Sequence, residues 1–274
     1  MKLFQIDAFT SRRFHGNPAA VVPMEVFADD AKLLAIAAEN NLAETAFFTP
    51  RSDGGASFNL RWFTPTVEVD LCGHATLATA HALWAELGET RDALAFDTRS
   101  GILTVTREGD LYTMDFPALP LVRQEPTTAL VRALGREPSE VYAVDKSRPD
   151  EKAVRPQKLM CVFGNKREVH ELEPDLAAIA ALDTFGVIVT APGAGHDFVS
   201  RFFAPAAGVP EDAVTGSAHC ALTPFWSNRL GKVSLTAHQV SKRGGELWVR
   251  YDEATSRVHL SGHAVTYLRG EIEI

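Results

Sequence analysis

The sequence predicts a mixed α+β fold of two similar domains from an internal duplication, each a strongly curved β-sheet or barrel wrapped around a central buried helix. Three observations lead there. Strand-like runs far outnumber helical patterns, two helical segments are apolar on nearly every side, and the motifs flanking those two segments repeat at fixed spacing. A doubly wound parallel sheet would instead alternate strand and helix regularly.

Lys2–Phe9, Ala19–Val22, Thr45–Thr49, Ser57–Phe63, Leu94–Thr98, Ile102–Arg107 and Leu111–Phe116 are short alternating or apolar runs in the first half. Val141–Val144, Leu159–Phe163, Gly186–Thr190, Phe198–Ala204, Val233–His238, Leu247–Tyr251, Arg257–Ser261 and Val265–Ile274 follow in the second. Helical patterns cover Asp29–Asn41, Thr127–Leu134 and Pro174–Leu182, with two further segments of a different character. His74–Leu87 has no wide polar face, which marks a buried helix. Ser217–Leu230 is similar, and its Pro224, lacking an N–H, should kink it.

The repeat is explicit in the residues. Arg61-Trp-Phe-Thr-Pro65 matches Arg201-Phe-Phe-Ala-Pro205 at an offset of 140, while Gly73 and Gly216, like Gly88 and Gly231, stand 143 apart. A three-residue insertion reconciles the two offsets. Duplication of a unit of ordinary domain size is the economical reading. Related halves would face matching loops across a cleft, the preferred place for a ligand.

Composition narrows the partners. The 274 residues carry a formal net charge of −8 and no basic block, which disfavours nucleic acid and anionic membranes. No apolar run approaches the ~18 residues of a membrane span. Charges at Lys2, Asp7, Arg12 and Arg13 interrupt any signal-peptide core. Three widely spaced cysteines, Cys72, Cys161 and Cys220, fit free thiols in a reducing cytoplasm.

Candidate chemistry gathers at the repeated loops. Gly73-His74 and Gly216-Ser217 each open a helix, whose free N–H groups and positive dipole end suit a carboxylate. Equally, the glycines could only permit a turn and Ser217 only cap a helix. Glu68, Asp70, Glu211 and Asp212 are the acids nearby. Glu44 stands alone between a helix and an apolar strand, where burial would raise its pKa and fit it to carry protons; a solvated charge at a strand start is the other reading. Cys72, beside a helix N-terminus, is either a nucleophile or proton carrier or a small buried residue. His74 and His81 lie two turns apart, about 10 Å, too far to share an ion, and no nucleotide-binding glycine loop is present. No metal and no cofactor are expected.

These residues sit within a set of motifs: Gly16-Asn-Pro-Ala-Ala-Val-Val22, Ala43-Glu-Thr-Ala-Phe47, Asp70-Leu-Cys-Gly-His-Ala-Thr76, Arg201-Phe-Phe-Ala-Pro205, Glu211-Asp-Ala-Val-Thr-Gly-Ser-Ala-His219 and Gln239-Val-Ser-Lys-Arg-Gly-Gly245. In that order they resemble the PhzF-like phenazine-biosynthesis family, within the diaminopimelate-epimerase-like fold. The resemblance implies domains at 1–117 plus 263–274 and at 118–262. It also implies a cytoplasmic homodimer and a cofactor-independent isomerase of a small carboxylate-bearing metabolite, similar to the isomerisation of trans-2,3-dihydro-3-hydroxyanthranilate. By the same resemblance Glu44 shuttles the proton, His74 and Asp212 assist it, and Asn17, Gly73, Gly216 and Ser217 contact substrate. Two departures stand out. The second cysteine of related racemases falls at Ala213, which disfavours two-thiol racemisation, and Ala213 also replaces the family's usual proline. An epimerase using Cys72, or a catalytically silent binding protein, is the alternative.

Overall fold

The computed structural model describes residues 1–51, 56–144 and 158–274. Two compact units divide the chain: Met1–Asp115 with His259–Ile274, and Phe116–Val258.

In the first unit β1 (Lys2–Ala8) and β2 (Asn17–Pro23) lead into α1 (Asp30–Asn40). Asp29 caps α1 by accepting from the Lys32 N–H, and Asn41 closes it in the left-handed conformation at φ 48°. There follow β3 (Glu44–Pro50), β4 (Phe58–Phe63), the two-residue β5 (Glu68–Val69) and α2 (Gly73–His81), continued by a π-helical turn over Ala82–Glu86. Strands β6 (Ala93–Thr98), β7 (Gly101–Glu108) and β8 (Leu111–Pro117) complete this run.

The second unit takes β9 (Leu121–Gln124), α3 (Thr128–Leu134), β10 (Glu140–Val144), β11 (Leu159–Val162), α4 (Lys166–His170), α5 (Leu176–Ala180), β12 (Val187–Pro192) and β13 (Phe198–Ala204). Next are a 3₁₀ turn at Pro205–Ala207, β14 (Val209–Asp212), α6 (Gly216–Leu230), β15 (Ser234–Gln239) and β16 (Gly245–Asp252), and β17 (Arg257–Gly262) runs across the division between Val258 and His259. The last strand, β18 (Ala264–Glu271), belongs to the first unit, where it pairs antiparallel with β1.

Strand pairing in the first unit runs β1 antiparallel to β2, β2 parallel to β3, β3 antiparallel to β4, β4 parallel to β6, and β6 antiparallel to β7. The second unit repeats that series with β10, β11, β12, β13, β15 and β16. In the first unit the parallel steps are bridged by α1 and α2, and in the second by α4 with α5 and by α6. The outer strand of each series is supplied from far along the chain or just before it: β18 on β1, and β9 on β10.

Burial explains the two apolar helices. Every residue of α2 from His74 to His81 is buried, and the helix packs on β1, β2, β3, β7 and β18. Ala75, Ala78 and Ala80 keep its girth small enough for that, while Thr76 and Thr79 return their hydroxyls to the carbonyls of Cys72 and Ala75. In α6, Pro224 cannot donate to the carbonyl of Cys220. That carbonyl instead accepts the Leu119 N–H at 3.0 Å, so the proline leaves no buried acceptor unmet there.

Two sequence expectations need correction. The helix expected to run unbroken over His74–Leu87 changes to π geometry after His81, with the Leu87 N–H reaching back five residues to Ala82. The strand expected over Val265–Ile274 ends at Glu271.

Candidate active site

Three elements of the first unit converge. Asn17 opens β2, Glu44 opens β3 beside Ala19 of β2, and Cys72 and His74 flank Gly73 at the start of α2. His74 Nε2 lies 3.2 Å from Glu44 Oε2. On the other edge of the ring, Nδ1 is 3.2 Å from Asn17 Nδ2 and 3.5 Å from Cys72 Sγ. Asn17 and His74 are buried, and the Glu44 side chain is only 17% exposed.

Donor chemistry orients the imidazole. An amide NH₂ can only donate, so Nδ1 accepts from Asn17, and the neutral ring then carries its proton on Nε2, the nitrogen 3.2 Å from the Glu44 carboxylate. Burial holds His74 neutral, with its pKa pushed down to about 3. The array is a chain from thiol through imidazole to carboxylate. It can support an anionic Glu44.

The second unit assembles the other predicted residues. Asp212 ends β14, and its Oδ2 accepts from Thr215 Oγ1 at 2.6 Å. Gln239 ties this loop down: Oε1 accepts the Thr215 N–H at 2.8 Å and Nε2 donates to the Asp212 carbonyl at 2.8 Å. Ser241 donates to the carbonyl of Ala213 at 2.7 Å. Side chains from the Gln239 motif thus hold the loop in which alanine stands at position 213. Gly216 begins α6, and the Ser217 hydroxyl, one residue on, accepts from Lys158 Nζ. Ser217 is therefore not the helix cap; that position is Thr215.

Of the four loop acids, two are structural. Glu68 accepts twice from Arg61, at 2.7 Å each, and Glu211 accepts twice from Arg201. Asp70 lies 3.7 Å from Arg99 with its side chain 75% exposed. Thr215, Gln239 and Lys158 escaped the sequence reading. Gln239 was signalled by its motif, and Lys158 by a lone charge placed directly before an apolar strand.

Among the described residues, Glu44, Cys72 and His74 form a group whose donor atoms lie within 4.8 Å of one another, close enough to hold a metal ion. Nε2 of the ring lies 3.2 Å from Glu44 and Nδ1 lies 3.5 Å from Cys72. Among the described residues no helix is long and apolar enough to cross a membrane.

A family model described as phenazine biosynthesis-like protein, PhzC-PhzF, matches residues 6–270. An uncharacterized isomerase of Pseudomonas aeruginosa is 46% identical over 274 residues, covering 100% of this chain and 99% of that protein. The crystal structure of a PhzF-family phenazine biosynthesis protein from Enterococcus faecalis superposes with a TM-score of 0.90 at 40% identity, over 100% of this chain and 99% of the other. A probable proline racemase from Agrobacterium radiobacter shares the fold alone, with a TM-score of 0.64 at 11% identity over 100% and 93% of the two chains. The strand-rich α+β architecture is thus common to PhzF proteins and to proline-racemase-like proteins. From the near-complete match and these full-length relatives, the chain belongs to the phenazine biosynthesis-like PhzC-PhzF family and is an isomerase.

Proposed function

We propose that this isomerase moves a proton between carbons of a small carboxylate-bearing metabolite without a cofactor, with Glu44 as the general base and acid. The contact between Glu44 and the neutral His74, 3.2 Å apart at the buried start of α2, carries this reading. Glu44 takes the proton from carbon, and the Nε2–H of His74 supports its charge before and after transfer. Negative charge that develops on the substrate is met by backbone N–H groups at Gly73, Gly216 and Ser217, with Asp212 assisting; these roles follow the family resemblance. A positioned acid–base group contributes about 10²–10⁴ in rate. Glu44→Gln is therefore expected to keep its circular dichroism spectrum and melting temperature while losing solvent-deuterium incorporation into substrate. Undiminished incorporation in that variant would reject Glu44 as the base.

A second reading is favoured by one distance. Cys72 Sγ, 3.5 Å from His74 Nδ1, is placed to act as a further proton carrier in an epimerisation. Cys72→Ala separates the two: an isomerase keeps most of its exchange, whereas a Cys72-dependent epimerase loses it together with inversion at the stereocentre.

We also infer an internal duplication, with domains at 1–117 plus 263–274 and at 118–262. The recurring strand series supports it, and so do the ion pairs Arg61–Glu68 and Arg201–Glu211. The arginine-to-glutamate spacing differs between the two pairs by the three residues of the insertion seen in the sequence.

A further inference from the structure

We propose that the second unit holds one buried water molecule between β13 and α6, bound by Ser200 Oγ, His219 Nε2 and Thr223 Oγ1. The site lies wholly within Phe116–Val258 and does not rest on the isomerase reading.

Strand alternation and register bring the three side chains together. Along β13, Val199 and Phe203 belong to the core cluster that includes Leu130 and Leu134 of α3. Phe198 and Ser200 therefore lie on the opposite face. That face meets α6, because the Phe198 ring centroid is 5.9 Å from that of His219 and 5.8 Å from that of Trp226. Ser200 also pairs with Gln239, whose Oε1 accepts the Thr215 N–H, so the start of α6 lies beside Ser200. His219 follows Thr215 by four residues and Thr223 follows by four more, which sets them in one row along the helix. Ser200 is 1% exposed, and His219 and Thr223 are fully buried. Ser200 Oγ, His219 Nε2 and Thr223 Oγ1 have no hydrogen-bond partner among the described residues.

Donor chemistry identifies the ligand. The Thr215 carbonyl can only accept, so His219 Nδ1 carries the proton and donates to it at 2.8 Å. Desolvation keeps the ring neutral, with its pKa pushed down to about 4, so Nε2 presents a buried lone pair. Thr190, directly opposite Ser200 on β12, has its hydroxyl committed elsewhere. It donates to the Val199 carbonyl at 2.7 Å and accepts from Trp226 Nε1 at 2.9 Å. One acceptor and two hydroxyls are then left to satisfy. A water molecule donates to Nε2, donates to one hydroxyl oxygen and accepts from the other, making the three hydrogen bonds usual for a buried water. An ion does not fit, since a charge among Ser200, His219, Thr223, Phe198 and Trp226 would lose its hydration without a counter-charge.

The first unit differs at the same places. At the repeat offsets of 140 and 143 residues it has Leu60, Thr76 and Ala80. Leu60 and Ala80 need no partner, and the Thr76 hydroxyl donates to the Cys72 carbonyl. The polar site thus belongs to the second unit. There, a donor on Nε2 favours the tautomer that keeps Nδ1–H on Thr215, whose own hydroxyl donates to Asp212 at 2.6 Å.

The test combines a crystal structure of the full chain with oxygen-17 relaxation dispersion in solution, which registers long-lived water oxygens and is blind to hydroxyl protons. The crystal should show a water about 2.7–3.2 Å from His219 Nε2 and within the same reach of both hydroxyl oxygens. Ser200→Ala combined with Thr223→Val should lose the dispersion signal of one long-lived water relative to wild type, with His219 still bonded to Thr215 in its crystal structure. A hydroxyl bonded directly to Nε2, no density at that point, a water that survives both substitutions, or an unchanged dispersion amplitude overturns the proposal. Should the double variant not fold, the wild-type crystal structure decides it.

Discussion

At the scale of single residues, the site depends on which nitrogen of His74 bears the proton. Asn17 decides this, because its amide donates to Nδ1 at 3.2 Å and so leaves the N–H on the side of Glu44. Asn17→Asp keeps the shape but offers an acceptor, which favours the opposite tautomer and turns a lone pair toward the carboxylate. Exchange in Asn17→Asp is expected to fall further than in Asn17→Ala, where loss of one buried hydrogen bond is worth about 10- to 100-fold. Both are measured as deuterium incorporation at saturating substrate, with melting temperature as the control for folding. Glu44, His74, Cys72 and Asn17 were each visible in the sequence as residues; their order around one imidazole was not. Positions 17, 44 and 74 are joined by strand pairing and a helix start, which no local pattern records.

At the scale of elements, the capped helices and apolar strands were legible and several of the shortest elements were not. Asp29 and Asn41 bracket α1 as cap residues do, and Thr127 caps α3 by accepting from the Leu130 N–H. By contrast α4, β5 and β9 span five, two and four residues, too few for a period to emerge. The π turn after His81 was hidden for another reason. Its sequence is apolar on every face, and hydrophobicity does not distinguish a reach of five residues from one of four. Close packing at this scale gives a stability prediction. Gly186→Ala forces the Phe202 ring and the Phe203 carbonyl apart, and overpacking of this kind typically costs about 1–3 kcal/mol. Urea unfolding of the variant should show the free energy of unfolding lowered by that amount, through a lower midpoint with an unchanged slope.

At the scale of the whole molecule, three histidines are buried and neutral among the described residues. Desolvation pushes His74 down to about 3, and His81 and His219 to about 4. His81 is held between Tyr112 and Thr266, and His219 donates through Nδ1 to the Thr215 carbonyl, so each unit carries at least one such group. The unfolded chain protonates these rings near pH 6.5 while the folded chain does not, so the unfolded state binds more protons below that pH. Stability from this source is complete above about pH 6.5 and declines as the pH falls toward 4. At pH 5 the loss reaches up to about 2 kcal/mol per ring. Thermal melts between pH 7.5 and 5 should shift downward, and the ring C–H NMR signals of these three histidines should stay fixed over the same range.

By itself the sequence determined the strand-rich α+β class, the two apolar helices, the repeat, and the residues available for acid–base chemistry. These properties are written in hydrophobic periodicity, caps and spacing, which act over a few neighbours. Tertiary structure alone decided that Glu68 and Glu211 serve arginines, that one imidazole links thiol to carboxylate, and that a lysine stands opposite Ser217. Such pairings are set by strand register and by the shape left after the core has packed, and both depend on contacts between residues far apart in the chain.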